Sequence, residues 1–179
     1  AIEPRHAAAA AAAAGAALAT RLAHWARQIP DQPALVEGAM RLTWRALDER
    51  VTAIASRIVE CGHDSPGRVV LLFRERANAI ASMLAVGRSG HALVMLDAAD
   101  PEERMRFVAA DAEPFVMLTE AALAERARLL APPGCAIVDV SDAHAHPVRP
   151  MPPAGGDTTA HVCYTSGSTG QAKGVCQTH

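Results

Sequence analysis

Near one end of the chain lies Tyr164-Thr165-Ser166-Gly167-Ser168-Thr169-Gly170-Gln171-Ala172-Lys173-Gly174. Seven of its eleven positions are Gly, Ser or Thr, and one is the only lysine in the sequence. Glycines let a backbone turn tightly and bring its N–H groups against an anion. The hydroxyls of Thr165, Ser166, Ser168 and Thr169 add neutral donors, and Lys173 adds a charged one. That donor set suits the phosphates of a nucleotide. A flexible Gly/Ser linker has similar composition. A linker, however, needs neither the lysine nor the apolar run His161-Val162-Cys163-Tyr164 that leads in.

A Walker loop, G-x-x-x-x-G-K-S/T, requires Gly before the lysine, Ser or Thr after it, and a following helix. With Gly167 as its first glycine, Ala172 precedes the lysine and Gly174 follows it, so two required positions fail. Val175-Cys176-Gln177-Thr178 is also β-prone rather than helical. The segment instead resembles the phosphate-loop signature of the adenylate-forming enzymes, approximately Y/F-T-S-G-S/T-T-G-x-P-K-G-V. These comprise acyl- and aryl-CoA synthetases, luciferases and the adenylation domains of nonribosomal peptide synthetases. Ala172 stands where proline is usual, which should leave the loop less ordered by about 0.4–1 kcal/mol.

Three further segments resemble the same family in the same order. Pro30-Asp31-Gln32-Pro33-Ala34-Leu35 is followed by Leu42-Thr43-Trp44-Arg45-Ala46-Leu47, similar to P-x-x-P-A-V/L and L-T-Y-x-E-L. The stretch from Leu84 to Asp97 is similar to L-A-x-x-K-A-G-x-A-Y-V-P-L-D, with Met95 in place of proline. Pro101-Glu102-Glu103-Arg104-Met105-Arg106-Phe107 resembles the P-x-E-R-L/I-x-F/Y helix. The resemblance covers about residues 20–179.

What the resemblance implies is a two-step ligation. A carboxylic or amino acid attacks the α-phosphorus of ATP to give an acyl-adenylate, and the acyl group then passes to a thiol. That thiol would belong to CoA or to the phosphopantetheine of a carrier-protein domain. Mg²⁺ and a lysine would screen the triphosphate charge. By analogy Thr165, Ser166, Gly167, Ser168, Thr169, Gly170, Lys173 and Gly174 bind the ATP phosphates. Arg104 is expected in an ion pair, Gly90 in a turn, and Asp97 as a hydrogen-bonding strand end. The family's adenine pocket, metal-binding glutamate, ribose-binding aspartate and late lysine follow this loop, so no catalytic or metal-binding residue is assigned within the chain. A non-catalytic nucleotide-binding module and a docking segment of a larger assembly are the alternatives.

The elements that must position the loop alternate between strand and helix. Leu18, Leu22 and Trp25 recur at helical spacing until Pro30. Ala34–Val36 and Met40–Thr43 should form a hairpin about Glu37-Gly38. Thr43 should cap a helix to Val59 with Leu47, Val51, Ile54, Ala55 and Ile58 on one face. Arg68 to Phe73 is the apolar run of a buried parallel strand. Helices are expected over Ala77–Arg88, Pro101–Asp111 and Glu120–Leu130, and strands over Ala92–Leu96, Phe115–Leu118, Cys135–Val140 and Thr159–Tyr164. Residues 143–157 should be a loop. The alternation predicts an α/β fold with a largely parallel sheet, part of a large amino-terminal subdomain, in which ligands bind beyond the strands' carboxyl ends.

Composition sets the remaining bounds. The chain has 179 residues, 50% of them hydrophobic and 20% charged, with a formal net charge of −2. It shows no basic stripe for nucleic acid and no apolar stretch of membrane-spanning length. Its length suffices for one core. Cys61, Cys135, Cys163 and Cys176 have no metal-like spacing and are expected as free thiols, largely buried, in a reducing cytoplasm. His144 and His146, in an Asp- and Pro-rich stretch, are expected to face solvent. Ala7–Ala14 resembles a secretory signal but lacks a Leu/Val-rich centre, so residues 1–17 are expected to be a low-complexity lead-in. Residues 18–179 are expected to be the amino-terminal portion of an AMP-binding domain, ending after the phosphate loop. Alone, that portion is expected to form no acyl-adenylate.

Overall fold

The computed structural model describes residues 18–62, 65–141, 159–166 and 172–178. The elements run α1 (Leu18–Gln28), β1 (Pro33–Glu37), β2 (Met40–Thr43), α2 (Trp44–Glu60), β3 (Arg68–Phe73) and α3 (Arg76–Arg88). They continue with β4 (Ala92–Asp97), α4 (Glu102–Ala112), β5 (Val116–Thr119), α5 (Ala124–Leu130), β6 (Ala136–Asp139), β7 (Thr159–Ser166) and β8 (Ala172–Thr178).

Strands β3 to β8 form one sheet in the order β6-β5-β3-β4-β7-β8. Neighbours are parallel, except that β8 returns antiparallel to β7. Strand β3 is central and pairs with β4 from Arg68 opposite Ala92 to Phe73 opposite Asp97. Its apolar run serves two cores because alternate side chains face opposite ways. Val69, Leu71 and Phe73 pack with Leu22 of α1, Leu47, Val51, Ile54 and Ile58 of α2, and Ala81 and Ala85 of α3. Val70 and Leu72 pack instead with Met105, Val108 and Ala109 of α4 and with Ala127 and Leu130 of α5. Each fully buried Val, Leu or Ile contributes about 1.5–3 kcal/mol relative to exposure. The sandwich of helices on both faces of a mostly parallel sheet is the fold class expected from the alternation.

Local signals explain the boundaries. Thr43 caps α2 by accepting the Ala46 N–H at 3.2 Å, one of the helix-end donors that needs a partner. Gly90, at φ 76°, ends the α3 segment in a turn. The β1–β2 hairpin turns through Gly38 at φ 57°, with Glu37 still in strand and opposite Met40; the turn therefore lies one residue later than expected. A left-handed φ at position 38 favours glycine.

Three other expectations change in detail. Pro101 lies just outside α4 with φ −57° and ψ 140°, supplying an extended entry rather than the first helical turn. The stretch from Glu120 to Leu130 is not one helix: a 3₁₀ turn over Ala121–Leu123 precedes α5. The Leu123 N–H bonds the Glu120 carbonyl at 2.9 Å, and the tight turn delivers Leu123 into the core at 3% exposure. All four cysteines are free, but Cys61, Cys135 and Cys163 are only half-buried and Cys176 is exposed. Cys61 caps the end of α2 and Cys135 sits just outside β6, so each packs against the edge of a core rather than inside it. The Ala-rich segment 1–17, His144, His146 and the expected loop 143–157 lie outside the described residues.

Candidate functional site at the β7–β8 turn

Strand β7 runs two residues beyond its expected end, to Ser166, and β8 begins at Ala172. The antiparallel register places Tyr164 opposite Gly174, Thr165 opposite Lys173 and Ser166 opposite Ala172. Directly opposed residues project to the same face, so Thr165 and Lys173 stand side by side at the foot of the turn, both exposed. The structure thus brings together Thr165, Lys173 and the main chain of Ser166. Gly167, Ser168, Thr169 and Gly170 lie outside the described residues.

Gly174 has a packing role that the sequence did not disclose. A Cβ there would lie 3.1 Å from Val162 Cγ1 and 3.3 Å from Tyr164 Cζ. The Tyr164 ring thus covers the glycine across the strand pair, and the backbone of β8 approaches more closely than a side chain allows.

Helix α4 holds β7 from the other side. The Tyr164 hydroxyl donates to Asp111 Oδ2 at 2.6 Å. Arg104 Nη2 lies 3.5 Å from the Tyr164 carbonyl oxygen, while Arg104 Nε donates to Asp100 Oδ2 at 3.1 Å. Arg104 is therefore in an ion pair, as expected, and also reaches the strand that delivers the turn. Burial first, and then the bond to Asp111, push the Tyr164 phenol well above its ordinary value, so it remains a hydrogen-bond donor at neutral pH. The sequence motif includes Tyr164 but gives it no role, and Asp111 was not singled out. Arg104 and Asp111 are seven positions apart, a spacing that shares one helix face, but the helix pattern does not say which strand that face meets.

The turn leaves the carboxyl end of β7. At the same end, Asp97 closes the exit of β4 by accepting the Ala99 N–H at 2.8 Å, as a strand-end hydrogen-bonder should. Arg126 Nη1 then donates to the Ala98 carbonyl at 2.7 Å and ties this exit to α5. A cavity of about 480 Å³ opens at the opposite end, between Gly67, Arg68, Ala92, Glu113, Thr159 and Cys176. These residues lie at the amino ends of β3, β4 and β7 or beside them, away from the Gly/Ser-rich turn. Parallel sheets bind ligands beyond their carboxyl ends, so the turn, and not this cavity, is the candidate site. On the back of β7, His161 and Cys163 are in contact, with Sγ 3.3 Å from Nδ1, and burial lowers the His161 pKa.

Among the described residues no helix is long and apolar enough to cross a membrane. The AMP-binding enzyme family matches residues 22–179. An isonitrile lipopeptide synthase of Mycobacterium tuberculosis is 38% identical over 159 residues, covering 88% of this chain and 6% of that protein. The hybrid PKS-NRPS synthetase thnA of Trichoderma harzianum is 36% identical over 168 residues, covering 90% of this chain and 4% of that protein. Among solved structures, the nonribosomal peptide synthetase FmoA3 with bound α-methyl-L-serine-AMP superposes with a TM-score of 0.80. It is 28% identical, over 91% of this chain and 18% of that one. The chain therefore spans a small part of the length of these relatives. Its matched segment, its order of strands and helices and its Gly/Ser/Thr-rich turn agree: this chain belongs to the AMP-binding enzyme family, with the fold of the amino-terminal subdomain of adenylate-forming enzymes.

Proposed function

We propose that the protein carrying this chain activates a carboxylate with ATP, forming an acyl- or aminoacyl-adenylate, and passes the acyl group to a thiol. The observation that carries this reading is the placement of Thr165 and Lys173 side by side where the Gly/Ser/Thr-rich turn leaves the carboxyl end of β7. Thr165, Ser166, Gly167, Ser168, Thr169, Gly170 and Gly174 would supply hydroxyl and main-chain N–H donors to the β- and γ-phosphates. Lys173 would place its ammonium beside them. A hydrogen bond to a charged group is worth about 1.5–3 kcal/mol, so several together would hold departing pyrophosphate.

The donor set fits an anion: it offers hydroxyls, N–H groups and one ammonium, with no carboxylate in the motif. Mg²⁺ would enter with the triphosphate and screen its charge. Among the described residues no cluster of three His, Cys, Asp or Glu is placed to hold a metal ion, so its protein ligands are not assigned to these residues. An aminoacyl substrate is supported by the FmoA3 structure, whose ligand is an amino acid joined to AMP, and a carrier-protein phosphopantetheine acceptor by the peptide synthetases among the relatives. CoA is the other acceptor. A cytoplasmic setting suits both the ATP requirement and four unbridged cysteines.

The test is ATP–pyrophosphate exchange by the intact protein across amino acids and simple carboxylates, with Lys173→Ala alongside. Exchange with a subset of acids, lost in Lys173→Ala without loss of folding, is expected. Nucleotide binding with no exchange for any acid would favour a non-catalytic module. Exchange unaffected by Lys173→Ala would remove the assigned role.

A further inference from the structure

Thr165 and Lys173 can serve a nucleotide only if the strands that carry them hold them in place, and the ladder pairing of β7 with β4 is short. Strand β7 is eight residues long, yet its pairing with β4 covers only His161 opposite Leu93 and Val162 opposite Val94. Strand β4 continues to Asp97, but its ladder pairing with β7 ends at Val162. From there to Ser166 the ladder partners of β7 are all in β8. Thr165 and Lys173 thus stand in the part of β7–β8 paired as a two-stranded ribbon, and isolated ribbons are marginal in water.

Helix α4 lies over the face of the sheet that carries Val70 and Leu72 and reaches β7 at one residue, Tyr164, through its side chain and its main chain. The side chain is tied near the end of α4 by the 2.6 Å bond to Asp111. The main-chain oxygen faces Arg104 near the start of α4, and Arg104 is steadied in turn by Asp100. Between these two points the ring lies against Gly174 of β8. Through that one ring, α4 is in register with both strands that carry the turn.

We infer that Tyr164, bonded to Asp111 and seated on Gly174, is a positioning residue that holds Thr165 and Lys173 in place across the β7–β8 pair and hence sets the affinity for the ATP triphosphate. The inference rests on the ATP reading above. Tyr164 need not touch the nucleotide. Releasing its hydroxyl leaves Thr165, Lys173 and every other donor chemically intact but lets the ribbon end swing, so phosphate contacts form in only a fraction of molecules. The apparent affinity for ATP falls by that fraction, while a carboxylate bound elsewhere is unaffected.

The experiment is steady-state ATP–pyrophosphate exchange by the intact protein, comparing Tyr164→Phe, Asp111→Ala, Asp111→Asn and the double variant Tyr164→Phe/Asp111→Ala, with Lys173→Ala as reference. Tyr164→Phe and Asp111→Ala should each raise KM for ATP by about three- to tenfold, the fold-change expected from one such hydrogen bond. KM for the carboxylate should stay within about twofold. The double variant should be no worse than either single one, because both remove the same bond. Asp111→Asn keeps an acceptor for the phenol and should recover much of the loss. If both single variants keep wild-type KM for ATP while Lys173→Ala raises it, the brace is refuted and the ATP reading stands. A fall in melting temperature with no change in KM for ATP would equally refute it, since the contact would then be structural alone. If Lys173→Ala also leaves the ATP dependence unchanged, the phosphate-binding role fails and this inference falls with it.

Discussion

Substituting Gly174 by alanine sets two effects of similar size against each other, and the structure decides between them. In the unfolded chain alanine has fewer conformations than glycine, which favours the folded variant by about 0.4–1 kcal/mol where the backbone is compatible. Against that, the new methyl would stand 3.1 Å from Val162 Cγ1 and 3.3 Å from Tyr164 Cζ, so both neighbours must retreat by a few tenths of an ångström. Neither retreats cheaply. Val162 is 7% exposed and wedged in the core beneath α4. The Tyr164 ring is anchored at its far end by the bond to Asp111. Forcing a methyl into a packed site costs about 1–3 kcal/mol, so the net expectation is destabilisation by about 0.5–2 kcal/mol. Thermal unfolding of the variant should show a fall of roughly 2–6 °C. Val162→Ala in the Gly174→Ala background should recover part of the loss by opening space for the methyl, giving a non-additive double-mutant cycle. A Gly174→Ala protein as stable as wild type, or more so, would refute the argument: the ring would then be free to move aside.

The remaining expectations concern other parts of the structure. Glu120 is 4% exposed and accepts from the Arg74 N–H at 3.0 Å and from Asn78 Nδ2 at 3.1 Å, while Asn78 Oδ1 accepts from Arg50. Asn78→Ala strips a partner from two buried charged side chains and should cost about 2–4 kcal/mol in denaturant unfolding; a loss under about 0.5 kcal/mol would show that water replaces the amide freely. Burial, with a smaller effect of Cys61, pushes the Cys135 thiol up to about 11, so peptide mapping after brief alkylation near neutral pH should find exposed Cys176 modified well before Cys135. Tyr164 is raised in the folded state, by burial first and then by Asp111. Its contribution to stability is therefore complete below the unfolded value of about 10 and is lost as pH climbs through the folded value. Tyr164→Phe should flatten the alkaline limb of a stability–pH curve, and an unchanged limb would show that the phenol titrates normally.

Most of the fold was legible because its signals are local or periodic. The unbroken apolar run from Arg68 to Phe73 could only be a strand buried on both faces, and it became the centre of the sheet. Thr43 before an amphipathic stretch announced the start of α2. What escaped were contacts between elements far apart in sequence. Nothing in a helix pattern says that Asp111 meets a tyrosine 53 residues later. Glu120 read as the start of a helix because its neighbours are helix formers, yet its carboxylate serves the β3–α3 connection, 45 and 46 residues earlier. Such pairings depend on strand order, which local periodicity does not encode. At the candidate site the chemical donors were legible as residue types. The reason for Gly174 was not, because it arises from a close approach across two strands rather than from a turn.

The central sheet also partitions the molecule into layers with different freedoms. Leu71 and its face-mates pack only with the hairpin-side helices, whereas Leu72 and its face-mates share a core with α4, the helix that grips Tyr164. A substitution beneath α2 or α3 can therefore change how firmly the protein folds while leaving the Tyr164–Asp111 contact where it is. The same change beneath α4 shifts the floor on which Tyr164 rests. Sequence drift should thus be tolerated unequally on the two sides of a single strand. An engineer seeking a more robust protein should repack the α2–α3 layer first, and one testing the proposed ATP role should begin with the residues under α4.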